Sequence, residues 1–490
     1  MQEPRAALPV AIIGAGPIGL AAAAHLATRE LPFVVFEAGA SAGHHLDGYR
    51  HVRLFSPWRY NVDRAAAALL ADEGWVAPDP DVLPTAGDVV DHYLEPLARS
   101  ARIAPHLHTT ARVVAISRVR HDKVKSAQRD DAPFVVQVAR DGRVEEHRVR
   151  AVVDASGTWS QPNPLGAHGL PAPGEHEHAA RIVYGMPDIG GAARPRYANR
   201  NVLVVGAGHS AIGNLVALAA LAVAAPRTRI AWALRRTDLR RVVGGGENDG
   251  LPARGALGLQ LQALIAERRL EIHPGFHVGA IATSGAALRI VADDAAVPAI
   301  DDIDEIIAAT GARPDLSLSR ELRVRLDPLL ESTDALAPLI DPNVHSCGTV
   351  RPHGHRELAH PEPGFYAIGA KSYGRAPNFL MATGYEQARS VVAALAGDLV
   401  AADDVQLELP ETGVCSSDFT VDPGGRVVDC CGGPPTEPAN ACCVADADAK
   451  AAGAAGCGCP TPAPAAPKER AKLPGIRVVA DKPSCCTTTV

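Results

Sequence analysis

The feature that most constrains the fold is a glycine pattern near the N-terminus, between an apolar run and an alanine-rich stretch. Gly14, Gly16 and Gly19 follow residues 10–13 in the spacing Gly-x-Gly-x-x-Gly. The first glycine permits a tight turn from strand to helix, the second leaves room for a pyrophosphate, and the third allows close helix–strand packing. Free N–H groups at the start of the helix then attract phosphate. The pattern therefore predicts a dinucleotide-binding strand–turn–helix unit.

An acidic residue strengthens this prediction. A second apolar run, residues 31–36, ends at Glu37, about 20 residues after the glycine pattern. A carboxylate at this position accepts a hydrogen bond from a ribose hydroxyl of a bound dinucleotide. A glycine turn in an ordinary α/β core would not require an acid there.

A second glycine pattern occurs in the middle of the chain. Gly206 and Gly208 follow the apolar residues 202–205, and Ala211 replaces the third glycine, which the helix-packing role allows. The next apolar run ends in Arg235 and Arg236 instead of an acid. Guanidinium groups pair with a 2′-phosphate, whereas a carboxylate repels it. This site is therefore predicted to prefer NADP(H) to NAD(H), the alternative being two surface arginines.

Two short segments of small residues flank the second glycine pattern. Residues 155–157 read Ala-Ser-Gly and residues 309–311 read Ala-Thr-Gly, and each follows an apolar run. Small residues at strand ends allow two domains and a cofactor to approach closely. We therefore predict that the chain crosses between domains at these two segments.

A hairpin is predicted just before the first of these segments. Apolar and polar residues alternate over residues 134–139 and 144–153, and Asp141-Gly142 lies between the two runs. An Asp-Gly pair between alternating runs is typical of a β-hairpin turn.

The length and net charge of the chain restrict the classes of function that remain. A chain of 490 residues is too long for one simple core, and its net charge of −7 does not favour nucleic-acid binding. The longest apolar helix candidate, residues 216–225, is far shorter than the roughly 20 residues needed to span a bilayer. We expect a cytoplasmic protein without a membrane partner that acts on a small molecule. The sequence carries no indication of its oligomeric state.

Cysteines are concentrated near the C-terminus. Nine of the ten lie between Cys415 and Cys486. Adjacent cysteines make poor disulfide frameworks, whereas thiolates are preferred ligands of soft metals. The predicted ion is trivalent arsenic first, with zinc or copper(I) next. The cysteines predicted to bind it are Cys430, Cys431, Cys442, Cys443, Cys457, Cys459, Cys485 and Cys486. The alternatives are redox cycling or a thiol-rich tail without a function. A weaker candidate for a metal site, without tight ligand spacing, is the histidine cluster around Cys347, which comprises His345, His353, His355 and His360. The alternative for this cluster is a solvated loop near the flavin.

Taken together, these motifs and the segment Gly-Phe-Tyr-Ala-Ile-Gly at 364–369 resemble the two-dinucleotide-binding-domain flavoproteins. Within that group the chain is most similar to flavin-containing monooxygenases and to lysine and ornithine N-hydroxylases. More closely still, it resembles the monooxygenase-like flavoproteins of bacterial arsenic-resistance operons. The resemblance extends over roughly residues 8–400.

The resemblance implies an α/β fold with three parts. An FAD-binding Rossmann-like domain is expected over residues 1–164 and 306–400, and an NADP-binding Rossmann-like domain over residues 165–305 is inserted into it. A Cys-rich, largely irregular tail follows over residues 401–490. The implied FAD-binding residues are Gly14, Ala15, Gly16, Pro17, Ile18, Gly19, Glu37, Ala38, Phe55, Ser56, Val114 and Gly369. The implied NADP-binding residues are Gly206, Gly208, His209, Ser210, Ala211, Arg235 and Arg236.

The chain departs from its relatives at the monooxygenase signature Phe-x-Gly-x-x-x-His. Gly174 and His178 are present, but Ala172 stands in place of the phenylalanine. A Cys-x-x-Cys pair near the first glycine pattern, typical of disulfide-reducing relatives, is also missing. Asn163, beside the first small-residue segment, is the catalytic candidate.

We therefore expect an NADPH-dependent flavin monooxygenase-like enzyme linked to arsenic resistance, whose thiol-rich tail binds a soft metal or metalloid. One alternative is a flavin reductase of metalloid or disulfide substrates. A second alternative, from a different class, is a protein that sequesters soft metals.

Overall fold

The computed structural model describes residues 7–237, 252–343 and 350–407, together with the backbone of two short strands further on. All ten cysteines lie outside these residues, as does most of the Gly-rich segment after Arg236. Residues up to Asp429 form one compact unit.

The strands of the described residues are labelled β1 to β18 in chain order. They are Val10–Ile13, Phe33–Phe36, Leu107–His108, Arg112–Arg118, Phe134–Arg140, Arg143–Val149, Ala151–Asp154, Ile182–Tyr184, Asn201–Val205, Arg229–Leu234, Glu271–Pro274, Val278–Ser284, Ala287–Ala292, Ile300–Ile303, Glu305–Ala308, Phe365–Ala367, Thr420–Val421 and Val427–Val428.

The α-helices of the same residues are labelled α1 to α11. They are Pro17–Thr28, His44–Asp47, Arg64–Asp72, Ala86–Val89, Glu95–Arg99, Arg194–Tyr197, His209–Ala224, Pro252–Ala266, Ala337–Ile340, Met381–Leu395 and Leu399–Asp403. A π-helical segment, Val90–Leu94, joins α4 to α5, and a 3₁₀ segment, Gly369–Tyr373, follows β16.

Two parallel five-stranded sheets form the body, in the orders β16-β7-β1-β2-β3 and β11-β10-β9-β15-β8. Each glycine pattern follows the central strand of its sheet, β1 or β9. The second sheet lies, in sequence, between β7 and β16 of the first. The predicted α/β class with an inserted second domain is therefore confirmed.

Each parallel sheet is covered by helices on one face and by a three-stranded antiparallel sheet on the other. In β1, Val10 and Ile12 pack into the core on the helix side, while Ala11 and Ile13 pack into the core under β4-β5-β6. The second domain repeats this arrangement, with Val202 facing the helix core and Leu203 facing the core that includes β12-β13-β14 residues. Burial on both faces explains why these strands are apolar throughout.

Two sequence expectations about boundaries change. Residues 144–153 read as one strand, but the chain leaves β6 at Val149 and pairs β7 with β1 in a different sheet. Alternation of side chains cannot reveal a change of sheet, because both strands bury apolar residues. In addition, β15 pairs with β9 in the second sheet, so the chain returns to the first domain after Ala308, not at residue 306.

The tail boundary expected at residue 400 falls within α11. Ser390 Oγ on α10 donates to the carbonyl oxygen of Ala402 at 2.7 Å, and Arg389 of α10 donates to carbonyl oxygens of Ala401 and Asp404. These bonds hold α11 and the residues just after it against α10. The packed part of the first domain therefore extends to at least Asp404.

A buried ion-pair cluster ties the antiparallel sheet of the first domain to the segment before β16. Glu362 accepts hydrogen bonds from Arg118 Nε at 2.7 Å and Arg129 Nη2 at 2.9 Å, and all three side chains are fully buried. Burial alone would raise the pKa of Glu362, but the hydrogen bonds from the Arg323 N–H, Arg118 and Arg129 outweigh it and hold the pKa below its usual value.

We predict that Glu362→Gln lowers the free energy of unfolding by about 3–5 kcal/mol, because it leaves two buried guanidinium groups without a counter-charge. The control is Glu331→Gln, which removes a partly exposed partner of Arg375 and is expected to cost about 1 kcal/mol or less. Urea unfolding measures both. Because the pKa of Glu362 is lower in the folded state, its contribution is present above about pH 4.3 and is lost as the pH falls through the folded value. Equal losses in the two variants would contradict the role of the cluster.

Candidate functional site

Each glycine pattern forms a tight loop against the small-residue segment that links the domains. Gly14 and Gly206 have positive φ angles of 97° and 134°. A Cβ on Gly14 would lie 2.8 Å from the Ala155 carbonyl oxygen, and one on Gly206 would lie 2.3 Å from that of Ala309. Only glycine satisfies both the backbone conformation and the close approach.

The second glycine of each loop has open space beside it. A Cβ built on Gly16 or Gly208 would meet no atom within 4 Å. Both residues precede a long helix, α1 or α7, whose N-terminus has no side-chain cap and no acidic residue in its first turn. Exposed N–H groups at an uncapped helix start form a site suited to a phosphate. Each sheet therefore ends in an open helix start whose shape suits a phosphate, and we call the two helix starts with their glycine loops the first and second cradles.

Glu37 lies directly after β2 and is buried. Its carboxylate accepts hydrogen bonds from the backbone N–H groups of Ala15 at 2.7 Å and Gly39 at 2.6 Å. The charge thus holds the first glycine loop in shape. Each carboxylate oxygen has a further acceptor position, so the same side chain is suited to a ribose hydroxyl.

The residues predicted around the first site are spread over several elements. Pro17, Ile18 and Gly19 form the first turn of α1, and Gly369 lies where a Cβ would meet Ile18 at 3.2 Å. Ala38 follows Glu37 and is half-buried, and Ser56 accepts a hydrogen bond at its carbonyl from Asn61 Nδ2 at 2.6 Å. Val114 lies at a β-bulge in β4, with 41% of its surface exposed.

The residues predicted around the second site lie at one edge of the second sheet. His209, Ser210 and Ala211 form the first turn of α7. Arg235 and Arg236 follow β10 and are exposed. Because β9 and β10 are parallel neighbours, the arginines and the glycine loop lie at the same edge.

Phe55 contributes to a contact between the two sites. Its ring meets that of His209 at a centroid distance of 5.3 Å in an edge-on arrangement. The loop that precedes α3 therefore reaches the start of α7.

Asn163 joins the two interdomain linkers, which are the small-residue segments 155–157 and 309–311 with the few residues that follow each of them. Its N–H donates to the Gly311 carbonyl at 2.9 Å, its Nδ2 donates to the Thr310 carbonyl at 3.1 Å, and its own carbonyl accepts from Thr310 Oγ1 at 2.5 Å. Pro162 and Ala312 pair as an antiparallel bridge beside it. These contacts give Asn163 a role in joining the linkers, and its catalytic role stays a prediction.

The signature-like segment around Gly174 has a packing role. A Cβ on Gly174 would lie 1.9 Å from the Ile281 carbonyl oxygen of β12, so the segment packs directly on that strand. Glu175 is buried and accepts hydrogen bonds from Leu165 N–H, Ala172 N–H and the Tyr184 hydroxyl. His178 lies 3.5 Å from Thr283 Oγ1 of the same antiparallel sheet. The close packing accounts for Gly174 without a catalytic role.

Two buried polar clusters at the first site were missed by the sequence analysis. Lys371 Nζ donates to Asp154 Oδ2 at 2.6 Å and to Ser156 Oγ at 3.0 Å. Ser156 lies beside the first glycine loop, since a Cβ on Gly14 would be 3.2 Å from its Cα. The available signal was an acid at the end of the apolar strand β7, with a lysine two residues beyond a strand-ending glycine.

The second cluster supports Gly369. Its N–H donates to Gln387 Oε1 at 2.7 Å, and Gln387 Nε2 donates to His353 Nε2 at 2.9 Å. His353 Nδ1 lies 2.9 Å from the Arg351 carbonyl, and burial lowers the pKa of His353. A neutral ring with its proton on Nδ1 satisfies both contacts.

Predicted metal sites lie largely outside the described residues. All eight predicted cysteine ligands are outside them, as are His345 and Cys347 of a weaker histidine cluster. His355 contacts Asp403 and His360 contacts the Arg325 N–H, away from His353. Within the described ranges, no group of three or more histidine, cysteine or acidic residues is arranged to hold a metal. None of the described helices is long and apolar enough to cross a membrane.

The chain matches one known family over most of its length. The sequence profile described as pyridine nucleotide-disulphide oxidoreductase matches residues 11–347. No curated protein sequence matches the chain significantly.

Solved structures with this fold include both reductases and monooxygenases. The bacillithiol disulfide reductase from Bacillus cereus is 19% identical with a TM-score of 0.58, over 80% of this chain and 99% of that one. The cadaverine monooxygenase from Erwinia amylovora, bound to FAD, is 12% identical with a TM-score of 0.55, over 85% and 98%. The ornithine N-hydroxylase from Kutzneria is 17% identical with a TM-score of 0.51, over 80% and 98%. At these identities the likeness concerns the fold.

We predict opposite outcomes for alanine at the two later glycines of the first loop. In Gly19→Ala the new Cβ would lie 1.9 Å from the Gly14 carbonyl oxygen, which should cost about 3 kcal/mol or more. Gly16→Ala should change stability by about 1 kcal/mol or less, because it meets no atom, but it fills the phosphate cradle. Thermal unfolding and the nucleotide content of the purified protein measure the two effects. A Gly16→Ala protein with full nucleotide content would contradict the assignment of the cradle.

Proposed function

The chain belongs to the pyridine nucleotide-disulphide oxidoreductase family, and we propose that it binds FAD at the first glycine loop and NADPH at the second. As a member of this family it is a flavin-dependent oxidoreductase. The observation that carries the assignment of the two sites is the pair of uncapped helix starts, α1 and α7, each with an open glycine beside it. The two cradles lie at the ends of the two parallel sheets, and the linkers that join the two domains pair with each other.

The first cradle suits FAD because the acid and the glycine loop form one unit. Glu37 would hold a ribose hydroxyl while Gly16 leaves the pyrophosphate its space. Gly369 and the start of α10 lie beside Ile18 of the first turn, so they would hold the flavin end.

The second cradle suits NADPH because of the charges beside it. Arg235 and Arg236 supply two guanidinium groups where an NAD site would carry an acid. His209, at the first position of α7, lies between this cradle and Phe55 of the first domain. The pyridine nucleotide would therefore bind at the seam between the domains.

When both groups are bound, the chemistry they would supply is hydride transfer from the pyridine nucleotide to the flavin and onward transfer of the electrons to dioxygen or another acceptor. The residues of this chain bind and orient the two groups and exclude water. A monooxygenase reaction would place one oxygen atom of dioxygen on the substrate and the other in water, with NADPH supplying two electrons.

We favour a monooxygenase-like reaction over a disulfide relay. No cysteine precedes Cys347 in the sequence, so the first domain has no cysteine pair near its glycine loop. The second candidate is a reductase in which the tail cysteines carry electrons between the flavin and the substrate. The clustering of nine cysteines after residue 414 supports this candidate.

The finer proposal is a role in arsenic resistance, with the tail cysteines as ligands of trivalent arsenic. It rests on the resemblance of the sequence and on the paired thiols Cys430-Cys431, Cys442-Cys443 and Cys485-Cys486. Thiolates are the ligands that soft ions select. The competing explanation is a protein that sequesters soft metals, in which the flavin domains are secondary.

We expect NADPH oxidation by the purified protein to depend on oxygen. Trivalent arsenicals, thiols and amines are tested as substrates while NADPH and dioxygen consumption are recorded together. A monooxygenase consumes them in equal amounts, and without oxygen it stops after one reduction of the flavin. Continued anaerobic NADPH oxidation with a disulfide or metalloid would identify a reductase. A protein that purifies without flavin, or whose flavin no pyridine nucleotide reduces, would contradict the proposal as a whole.

We expect NADPH to be preferred over NADH and the preference to shrink about tenfold or more in the Arg235→Ala/Arg236→Ala double variant, because charge-assisted pairs with the 2′-phosphate are lost. The matched control is Arg229→Ala, which removes an exposed arginine at the other end of the same strand. The measurement is kcat/KM for both nucleotides. Equal values of kcat/KM for NADPH and NADH in the unmodified protein would refute the NADPH assignment.

We expect a protein truncated after Leu407 to lose bound arsenite while keeping its flavin. A cut at this position leaves α11 and Asp404 in place, because both are held against α10. Equilibrium dialysis under reducing conditions measures the arsenic bound per chain. If the truncated and full-length chains bind equal amounts, the tail has no metalloid role.

A further inference from the structure

One large aromatic side chain lies between the two domains and remains partly exposed. Trp159 belongs to the first linker, and 41% of its surface is exposed, whereas Trp58 and Trp232 are buried. A partly exposed tryptophan in a linker is unusual, because this residue type is highly buried on average. Its neighbours show what it connects.

On one side, Trp159 contacts the segment after α2 in the first domain. Its ring centroid lies 4.6 Å from that of Tyr49, and a Cβ built on Gly48 would be 3.6 Å from its Nε1. This segment is tied to the first cradle, because the Gly43 N–H, just before α2, donates to the Ala15 carbonyl at 2.9 Å.

On the other side, Trp159 contacts the second domain at Gly185. A Cβ built on Gly185 would lie 3.3 Å from Cη2 of the indole, and Gly185 has a φ of 89°. The Gly185 carbonyl accepts a hydrogen bond from Asn214 Nδ2 at 2.9 Å. Asn214 is buried in the second turn of α7, the helix that begins at the second cradle.

These contacts form a continuous connection between the cradles. It runs from the Ala15 carbonyl through Gly43 and Tyr49 to the indole, and then through Gly185 and Asn214 to α7. We call Gly48, Tyr49, Trp159 and Gly185 the indole clamp. A Cβ on Gly48 would make an ordinary van der Waals contact with the indole, whereas one on Gly185 would approach it more closely than that. The indole therefore fills the space between the two segments.

We propose that Trp159 is a positioning residue that sets the distance between the pyridine nucleotide and the flavin. The inference rests on the proposed function, in which a hydride with its two electrons leaves NADPH, giving NADP⁺, and reduces the bound flavin. Such a transfer requires reacting atoms roughly 3–3.5 Å apart, and a displacement of about 1 Å can lower the rate 100-fold. The Phe55–His209 contact lies at the same seam and supports the same spacing.

The test is the anaerobic reduction of the flavin in the full-length holoenzyme, followed by stopped flow at saturating NADPH. Trp159→Ala is expected to lower the limiting rate constant roughly tenfold to 100-fold, with the Kd for NADP⁺ and the flavin content little changed. Trp159→Phe retains a ring and should restore most of the rate. The matched control, Trp75→Ala, removes a half-buried tryptophan outside the clamp and should leave the rate constant unchanged.

A double-variant cycle separates positioning from direct contact with a reactant. If Trp159 acts through Tyr49, the Trp159→Ala/Tyr49→Leu protein should be no slower than the slower single variant. If the losses of rate in the two single variants add up in the double variant, the two residues do not act through a shared clamp. If Trp159→Ala does not retain flavin, Tyr49→Leu removes the same ring contact from the other side and takes its place.

Hydrogen–deuterium exchange supplies a readout that does not depend on turnover. Trp159→Ala should speed exchange at residues 44–56 and 182–188 together, on both sides of the clamp. Unchanged exchange there, or flavin reduction as fast as in the unmodified enzyme, would overturn the inference. If NADPH does not reduce the flavin of the unmodified enzyme, the proposed function fails instead, and the exchange result still decides whether the clamp exists.

Discussion

The close approach of each glycine loop to an interdomain linker is the constraint on which the rest of the structure depends. Gly14 lies against the Ala155 carbonyl and Gly206 lies against the Ala309 carbonyl, at distances that exclude any Cβ. Each cradle is therefore built partly from the chain segment that leaves its sheet for the other domain. The two linkers also pair with each other through Asn163 and Pro162, so both cradles are connected to the same domain crossing.

Charged and polar side chains are buried beside the first cradle. Lys371 and Asp154 are both buried and hydrogen-bonded to each other, and Gln387 is fully buried between Gly369 and His353. Buried polar groups are costly unless their hydrogen bonds are made, so each cluster stabilises one backbone geometry over its alternatives. In this fold the polar clusters hold the ends of strands β7 and β16, where the first cradle is completed.

Local patterns predicted much of the architecture because their causes are local. The first glycine pattern, the apolar run before it and Glu37 form one strand–loop–helix unit in the structure, as predicted. The Asp141-Gly142 hairpin also forms, with positive φ at both residues. By contrast, Gly174 matched part of a catalytic signature, yet its surroundings show a glycine required for packing on β12. A sequence motif does not record which neighbour a residue touches.

By itself, the sequence determined the α/β class, the two glycine loops and the insertion of the second sheet within the first, because turns, helix starts and buried parallel strands depend on residues close together in the chain. Only the tertiary structure decided which sheet each strand joins, as with β7 and β15. It alone brought Lys371 to Asp154, 217 residues away, and placed Trp159 between Tyr49 and Gly185. Such contacts depend on how whole layers pack, and no spacing within one segment encodes them.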